Sequence, residues 1–482
     1  MLSQTTVFTQ LVRNHMGPAP ALCQPDTPCI DVVAKMKDGR STSVIVVSSQ
    51  CQGIGIITEQ DVCRRIAFNA GETTPAKEVM TATLHTIDQD EFLYRAIAEM
   101  RRFKLRHMPV TNRAGEIVGV LDLDDSIASA AGQIIRHIDF LSKDYSFEGL
   151  CETKTAQKDV ALELLNDTVP TPEIQWLLSS INWVIHDRVV RICLDEMESE
   201  GLGSPPVDFD VIIMGSGGRA ESYLNPDQDN GFVIENYPES EHQKIDDWFT
   251  DLATRMTAKL DRIGFDYCVG QVMATNPRWR KTVRGHCDQV QQWITDRQGE
   301  DLRYCEIFFD FRCCYGSGEL TSSLREYVTE HARVPGFLSR LYKLDQSHRG
   351  ALNMFGQLVT DPNEGPNQGK IELKSGGTLP LIQAVRLLSL KEGLSVTSTR
   401  RRIERLCESN ILNGDEEDYL SGAYEHISNL LLRQQLEAHR TGRPIDNHVP
   451  IEVLSEREKD MLIDGFRFFR GFHKKLKKMV SS

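Results

Sequence analysis

The sequence predicts a multidomain α/β protein in four parts: a duplicated N-terminal module, a helical connector, an α/β core and an all-α C-terminal domain. Three observations lead to this prediction. Residues 1–130 repeat themselves at a fixed offset. A glycine-rich turn in the middle of the chain separates two apolar, strand-like runs. The segments before and after that core carry apolar residues at helical spacing.

Length and composition fit this organisation. The 482 residues are enough for three or four domains of roughly 100–200 residues each. Hydrophobic residues make up 40% and charged residues 26% of the chain, which is ordinary for a soluble globular protein. The formal net charge of −14 argues against a nucleic-acid-binding protein, which usually presents a basic face.

No targeting or membrane segment is apparent. The chain has no run of about 18 apolar residues and no basic-then-apolar leader, so we expect a cytoplasmic protein that does not enter a membrane. The twelve cysteines include no C-x-x-C pair. We expect them to be reduced thiols, and we expect no zinc site.

Two copies of one unit are predicted in the N-terminal module, at about 8–70 and 72–130. The matching residues always lie 64 positions apart, as in Met16 with Met80, Met36 with Met100, Gly55 with Gly119 and Asp61 with Asp125. Each copy is predicted to contain a helix, two strands and a capped second helix. The strands are expected at 43–47 and 53–57 in the first copy, and at 107–111 and 116–121 in the second.

The module resembles a tandem pair of CBS domains over residues 8–130, with the G-h-h-T-x-x-D stretch carrying the resemblance. The resemblance implies an adenosine nucleotide in the cleft between the copies, with Thr58 at phosphate and Asp61 at a ribose. Asp125 is the equivalent of Asp61 in the second copy. There Asp122 replaces the threonine and adds negative charge, so we expect at most one good site. The alternative is that Asp61 and Asp125 only complement helix dipoles. Because CBS modules often pair across subunits, a homodimer is also expected.

Residues 131–200 are predicted to form a helical connector. The run 173–198 repeats apolar residues at helical spacing over about seven turns. It could act as a lever between the N-terminal module and the core, but an ordinary packing helix is the favoured interpretation.

The core, residues 201–330, contains the glycine turn of the stretch I-I-M-G-S-G-G-R-A-E (212–221). One interpretation is a dinucleotide fingerprint: Gly215, Gly217 and Ala220 fit G-x-G-x-x-A, and Glu235 lies where a ribose-binding acid belongs. That fingerprint requires a full crossover helix. Asn225-Pro226 would break such a helix after about two turns, which disfavours a dehydrogenase.

A nucleotidyltransferase site uses more of the same stretch. Asp227 and Asp229 are two apart, so on a strand they would point to one face. Paired carboxylates suit Mg²⁺, or Mn²⁺ in its place. Gly215, Ser216 and Gly217 would bring backbone N–H groups to a triphosphate, and Arg219 would neutralise phosphate charge.

The stretch resembles the hG[GS]…DxD signature of the polymerase-β-like nucleotidyltransferase superfamily. Within it, G-S-G-G-R-x-E…D-Q-D-N is similar to the relatives of the bacterial PII-protein uridylyltransferase. It is most similar to the bacterial nucleotidyltransferases predicted after paired CBS domains. The resemblance covers residues 140–480. It implies transfer of a nucleoside monophosphate from an NTP to an acceptor hydroxyl, with a regulatory protein as the acceptor. Glu221 would orient Arg219.

Such enzymes need a third carboxylate. In YCEIFFDFRCCYG (304–316), alternation on a strand would place Asp310 on a mixed face, and the segment matches the family's F-D-F-R. We therefore expect Asp310 to be the third metal ligand or general base. The alternative is a surface salt bridge within the strand.

Residues 331–482 are predicted to form a helical C-terminal domain. The K-S-G-G turn at 374–377 precedes a long helix, with Pro380 tolerated in its first turn. Lys374 is a candidate phosphate ligand, although a simple helix-start loop explains the turn equally well.

The sequence thus favours a magnesium-dependent nucleotidyltransferase regulated by adenosine nucleotide at the CBS pair, with neither nucleic acid nor membrane as a partner. The main alternative is a non-catalytic nucleotide sensor.

Overall fold

The computed structural model describes residues 11–481, except 19, 39–41, 49–52, 67–70, 72, 83, 104, 124–125, 127–145, 167–168, 297–301, 346–351, 354–355, 362–364 and 366. Asp125 and the start of the expected connector lie outside the described residues. The chain divides into two compact units, Met1–Lys143 and Asp144–Ser482.

The first unit contains two three-stranded sheets of identical topology. The strands are β1 (Ala21–Cys23), β2 (Ser43–Val47), β3 (Gly53–Thr58), β4 (Ile87–Asp88), β5 (His107–Thr111) and β6 (Ile117–Asp122), and the helices are α1 (Cys29–Asp38), α2 (Glu59–Asp61), α3 (Ala76–Val79) and α4 (Leu93–Arg102). In each sheet the first strand pairs parallel to the second, and the second pairs antiparallel to the third. The strand positions expected from the sequence are confirmed to within about one residue.

The offset of 64 residues is preserved in the strand register. Val46 pairs with Gly55 in the first copy, and Val110 pairs with Gly119 in the second. The register shifts at the next residue of β2 and of β5 alike. A repeat that keeps pairing partners and irregularities at one offset is a duplicated structural unit.

The two copies also exchange their N-terminal segments. Gly17 of the first copy bridges Val120 of the second, and Thr81 of the second bridges Ile56 of the first. Each of these segments places a methionine against a glycine of the other copy, Met16 against Gly119 and Met80 against Gly55. A Cβ at either glycine would collide with that methionine, which explains why glycine recurs in both copies.

The second unit is built on a four-stranded sheet in the order β10-β7-β8-β9. Its strands are β7 (Phe209–Ile213), β8 (Asn230–Ile234), β9 (Arg280–Thr282) and β10 (Arg312–Tyr315). β7 is antiparallel to both β10 and β8, and only β8 and β9 run parallel. A dinucleotide fold needs parallel strands across the glycine turn. The antiparallel β7–β8 pair therefore rules that interpretation out.

The helices of the second unit lie before, between and after these strands in the chain. They are α5 (Phe147–Asn166), α6 (Thr171–Ser199), α7 (Gly215–Arg219), α8 (His242–Ile263), α9 (Val283–Thr295), α10 (Leu302–Phe308), α11 (Glu319–His331), α12 (Pro335–Asp345), α13 (Leu379–Glu392), α14 (Thr399–Glu408), α15 (Gly414–Arg440) and α16 (Glu456–Ser481). α8 ends at Gly264, which takes the left-handed conformation with φ +111°.

The C-terminal region is helical but not all-α. β11 (Lys370–Glu372) and β12 (His448–Pro450) form a two-stranded antiparallel sheet. Each strand has only three residues, and the two strands lie far apart in the sequence. No local alternation therefore predicts this sheet.

The segment 304–316 is not the continuous strand that its alternation predicted. Residues 302–308 form helix α10, and the strand begins only at Arg312. Phe308, Phe309 and Phe311 are all almost completely buried, against Trp279 and Trp293 among others. Burial on every side removes the two-faced pattern on which the prediction relied.

Among the described residues, no helix is both long enough and apolar enough to span a bilayer.

Candidate functional site

The glycine turn joins β7 to β8 through a single helical turn, α7. Gly215 opens the turn at φ +58°, and Ala220 closes it in the left-handed conformation at φ +65°. The helix between the two strands is therefore even shorter than the roughly two turns that Asn225-Pro226 would allow. Within the described residues, no hydrogen-bond acceptor is paired with the N–H groups of Gly215, Ser216 and Gly217, as at other helix N-termini.

Close approach explains the glycines of α7. A Cβ on Gly215 would lie 3.0 Å from Oδ2 of Asp229, and a Cβ on Gly217 would lie 2.5 Å from a methyl group of Ile213. At Gly218 a Cβ would overlap the backbone carbonyl of Asp310. The turn is thus pressed between one predicted metal ligand and the segment that carries another.

The two aspartates do not lie on a strand as predicted. β8 begins at Asn230, so Asp227 and Asp229 belong to the loop before it. The N–H of Asp229 donates to the carbonyl of Asp227 at 3.0 Å, which is a tight turn rather than extended backbone. Their shared environment therefore has another cause than strand alternation.

That cause is the side chain of Gln228, which anchors the loop from inside. Gln228 is fully buried, and its amide donates to the carbonyls of Thr257 and Phe265 at 3.1 and 2.8 Å. Its backbone N–H donates to the carbonyl of Asp266 at 3.1 Å. With Gln228 fixed in the core, its neighbours are held at the surface, with Asp227 exposed and Asp229 partly buried.

The environment of the carboxylate pair raises both of its pKa values. Burial raises the pKa of Asp229 to about 6, and the nearby negative charge of Asp227 adds to the rise. A hydrogen bond with Cys268 and the positive charges of Lys374 and Arg219 act in the opposite direction. Burial also raises the pKa of Asp227, which Lys374 partly offsets. Because both pKa values are raised, a bound cation would stabilise the ionised form of the two carboxylates.

Lys374 comes to this pair from the C-terminal region. It is exposed and opens a wide helical turn, Lys374–Thr378, ahead of α13. Glu372 fixes the start of the turn by accepting from the N–H groups of Lys374 and Ser375 at 3.1 and 2.6 Å. The structure therefore brings Lys374, from the C-terminal region, close to Gly215, Asp227 and Asp229 of the core.

Asp310 is not placed to be the third metal ligand. It is completely buried, and both carboxylate oxygens accept from arginines. Arg386 Nη2 and Arg219 Nη1 donate to Oδ2 at 2.6 and 2.9 Å, and Arg402 Nη2 donates to Oδ1 at 2.7 Å. Burial opposes the negative charge, but the three guanidinium groups hold the pKa of Asp310 far below its usual range. The carboxylate is an ion-pair anchor, and this corrects both alternatives considered for it.

Arg219 also differs from the prediction. It is 7% exposed, with Nε donating to Glu221 at 2.6 Å and Nη1 to Asp310. The guanidinium therefore ties the glycine turn to the protein interior instead of facing a triphosphate. The expected role of Glu221 in orienting Arg219 agrees with this contact, and Glu221 also accepts from the N–H of Thr399 at 2.6 Å.

One face of α6 holds the same turn from the other side. Gln175 donates to the carbonyl of Glu221 at 3.3 Å, Ser179 accepts from the N–H of Ser222 at 2.9 Å, and Trp183 donates to the carbonyl of Gly217 at 3.0 Å. These three residues are spaced four apart, so they lie along one stripe of the helix. The expected packing helix is thus also a direct support of the site.

The sequence did not predict the roles of Arg386, Arg402 and the α6 stripe. Arg386 and Arg402 lie 76 and 92 residues from Asp310, and no local pattern reveals such pairing. One signal was available: Arg386 interrupts the apolar run Q-A-V-R-L-L-S-L (383–390), and a lone charge in a buried helix needs a partner.

Among the residues that the structure describes, no group of three or more His, Cys, Asp or Glu side chains forms a ready metal site. Two carboxylates remain at the candidate site, and Mg²⁺ is commonly held by one or two protein carboxylates together with substrate phosphates. Asp227 and Asp229 fit that limited role.

In the first unit, Thr58 and Asp61 interact with each other. Asp61 Oδ2 accepts from the backbone N–H and the hydroxyl of Thr58 at 2.9 and 2.8 Å, and Arg65 lies 3.5 Å from Oδ1. This arrangement caps α2, which is the helix-end role considered for Asp61. Its second-copy equivalent, Asp125, lies outside the described residues.

Comparison with protein families divides the chain in a similar way. Residues 155–300 match a family described as "Putative nucleotidyltransferase DUF294", and residues 335–480 match its "Putative nucleotidyltransferase substrate binding domain". Residues 12–68 and 76–125 match the CBS domain. The chain therefore combines a pair of CBS domains with the two DUF294 domains.

Individual relatives each match only part of this chain. A probable arabinose 5-phosphate isomerase of Haemophilus influenzae is 34% identical over 113 residues, covering 23% of this chain and 33% of the isomerase. The CBS domain-containing protein CBSCBSPB5 of Arabidopsis thaliana is 23% identical over 183 residues, covering 36% of this chain and 32% of that protein. This chain thus spans only about a third of each of these relatives.

Among solved structures, a CBS domain protein from Pyrobaculum aerophilum complexed with AMP is 20% identical, with a TM-score of 0.23, covering 24% of this chain and 88% of that one. The CBS domain NE2398 is 23% identical, with a TM-score of 0.23, covering 25% of this chain and 97% of that one.

Proposed function

We propose that this protein is a nucleotidyltransferase that transfers a nucleoside monophosphate from an NTP to an acceptor hydroxyl and releases pyrophosphate. The observation that carries the proposal is the Asp227–Asp229 pair beside the N-terminus of α7, within a segment that matches a nucleotidyltransferase family. The raised pKa of Asp229 supports it, because a carboxylate pair that repels itself gains from a bound dication.

Each group has a defined task in this proposal. Asp227 and Asp229 hold Mg²⁺, or Mn²⁺, which when bound neutralises phosphate charge and activates the attacking hydroxyl. The free N–H groups of Gly215, Ser216 and Gly217 receive phosphate oxygens. Lys374 contributes positive charge near the two carboxylates. Arg219 and Asp310 act from beneath the turn by holding it in place.

Family resemblance guides the choice of acceptor. Similarity to the relatives of the PII-protein uridylyltransferase favours a hydroxyl on a regulatory protein. Incubating the protein with each α-labelled NTP, Mg²⁺ and cell extract tests this directly. We expect one labelled protein band, which is lost in Asp227→Ala and retained in Asp464→Asn, a change at an exposed carboxylate on α16. Label that persists in Asp227→Ala would refute the assignment.

A nucleotide sensor without catalytic activity is the second candidate. It is favoured by the capture of Asp310 in an arginine cluster, which leaves two carboxylates where three were expected. The same labelling experiment separates the two functions. NTP binding without any label transfer in the wild-type protein would support the sensor.

We further propose that an adenosine nucleotide binds the CBS pair and regulates the second unit, and that CBS pairing makes the protein a homodimer. The G-h-h-T-x-x-D stretch supports the first copy as the site. Titration with AMP should show binding that weakens in Thr58→Ala and Asp61→Ala. Equal binding by all three proteins would contradict this site, and a monomer in sedimentation would contradict the dimer.

A further inference from the structure

The loop after α8 is built against the candidate carboxylates. Its Asp266 carbonyl accepts from the N–H of Gln228, the residue between Asp227 and Asp229. Two positions later, the buried Cys268 hydrogen-bonds the Asp229 side chain. The residue between these contacts, Tyr267, is therefore held beside the carboxylate pair from both sides.

Tyr267 is unusual for a residue in such a firmly held position. It is 48% exposed, and the next exposed neighbour, Val269, is 95% exposed. Within the described residues, no aromatic ring pairs with Tyr267 and no hydrogen bond is made by its hydroxyl. Isolated exposed apolar residues are common. Tyr267 and Val269, however, flank Cys268, which is hydrogen-bonded to the proposed metal ligand Asp229. We therefore take this exposed pair as a candidate ligand-binding surface.

Hydrogen bonds hold the loop at Cys268 and Gln271, next to these side chains. Gln271 adopts φ +56°, and its carbonyl accepts from Trp279 Nε1 at 2.9 Å and from Asn276 Nδ2 at 3.1 Å. The N–H of Gln271 returns to the carbonyl of Cys268 at 2.9 Å. A ligand that binds here would meet a preformed platform and would not have to order a loop.

Charge decides which part of a nucleotide fits. Asp266, which is not one of the proposed metal ligands, places negative charge next to Tyr267. Phosphate would be repelled here, whereas the base is uncharged and presents a π-face. The positive charge of Lys374, which acts on Asp227 and Asp229, supplies the surroundings that the phosphates need.

We infer that Tyr267 is the base-stacking residue of the site, with Val269 at the edge of the same platform. This inference rests on the proposed function and extends it. Because aromatic stacking accepts any base, Tyr267 would add affinity for all four NTPs without selecting strongly among them.

Calorimetric titration of the full-length protein tests this with Mg²⁺ present. The ligands are the four NTPs and inorganic tripolyphosphate, which has the phosphates but no base. Tyr267→Ala removes the stacking contribution to affinity and should weaken NTP binding by about 5- to 100-fold. Tripolyphosphate binding should stay unchanged. Tyr267→Phe should bind NTPs as the wild type does, and so should Tyr419→Ala, which removes a similarly exposed tyrosine from α15.

Other results have distinct meanings. If Tyr267→Ala leaves NTP affinity unchanged, or weakens tripolyphosphate equally, the stacking role is wrong while the proposed function stands. If Tyr267→Ala keeps NTP affinity but loses label transfer, the platform docks the acceptor instead, and the inference is again overturned. If the wild type binds neither NTP nor tripolyphosphate, the proposed function fails and the inference fails with it.

Discussion

At the scale of single residues, the most consequential finding is the burial of Asp310 among three arginines. The charges of this cluster come from a loop, the glycine turn and two C-terminal helices, and they meet out of contact with water. Buried ion pairs are poor sources of net stability, but removal of one partner leaves the others uncompensated. The cluster therefore fixes geometry, and its loss is expected to be severe.

Replacing Asp310 by Asn should lower the free energy of unfolding of the second unit by about 3–5 kcal/mol. All five tryptophans lie between Trp176 and Trp293. Fluorescence during urea unfolding therefore reports on this unit. Asp464→Asn, at an exposed carboxylate, should change stability by less than about 0.5 kcal/mol. If Asp310→Asn instead kept its stability and lost only Mg²⁺-dependent activity, the metal-ligand assignment would be restored.

Replacing Asp229 should have the opposite effect on stability: it should raise the free energy of unfolding, although activity is lost. Its pKa is about 6 in the folded protein and 3.8 in the reference state, so above pH 6 the folded state carries a charge that it disfavours. Asp229→Asn should therefore be more stable than the wild type at pH 8, by about 1–3 kcal/mol. The difference should shrink as pH falls through 6 and vanish near pH 4. Urea titrations at several pH values measure it, and a destabilised variant at pH 8 would contradict the shift.

At the scale of elements, the glycine turn is defined by what packs against it. Gly217 faces a side-chain methyl group of Ile213, whereas Gly218 faces the backbone carbonyls of Asp310 and Ile213. A side chain can move aside more easily than two backbone segments can. The consecutive glycines should therefore differ in their tolerance of a methyl group.

Gly218→Ala is expected to destabilise the protein by about 1–3 kcal/mol or more through overpacking, and Gly217→Ala by clearly less. Gly422→Ala makes the same chemical change in α15, where nothing lies within 4 Å of the added methyl group. There alanine should stabilise the helix by up to about 1 kcal/mol. Urea unfolding of the three variants provides the ranking, and equal effects at 217 and 218 would contradict the packing described.

The elements also show which inferences a sequence supports. β2 and β5 were predictable because strand propensity and the repeat of 64 residues agree locally. The segment 304–316 was not, because an aromatic core hides the difference between a helical and a strand period. The Asp227–Asp229 pairing was expected for the wrong reason: a buried glutamine, and not strand alternation, sets it. The arginines around Asp310 arise from contacts across the whole unit, which no local pattern encodes.

At the scale of the whole molecule, acid stability depends on buried histidines. His186 and His286 are buried, and burial lowers the pKa of each to about 4. In the unfolded chain a histidine binds its proton near pH 6.5. Between pH 4 and pH 6.5, unfolding therefore takes up protons. The stability that the neutral, buried histidines provide is complete above pH 6.5 and is lost as pH falls toward 4.

Removing one of these histidines should flatten the pH dependence. For His286→Phe, the slope of unfolding free energy against pH between 4.5 and 6 should fall by up to about 1.4 kcal/mol per pH unit, the effect of one proton. His286→Gln, which keeps a donor for the Phe232 carbonyl now bonded at 2.9 Å, should show the same slope with a smaller loss of stability. An unchanged slope in both variants would show that His286 is not neutral in the folded state.

The central claim is that Asp227 and Asp229 form the metal-binding centre of a nucleotidyl-transfer site. The most direct measurement follows α-labelled and γ-labelled NTP in parallel, for the wild-type protein, Asp229→Asn and Asp464→Asn at pH 8 with Mg²⁺ and cell extract. We predict that the α-label joins an acceptor and the γ-label leaves as pyrophosphate in equal amount, in the wild type and Asp464→Asn but not in Asp229→Asn. Transfer of the γ-label to the acceptor, or α-label transfer that survives Asp229→Asn, would contradict the claim.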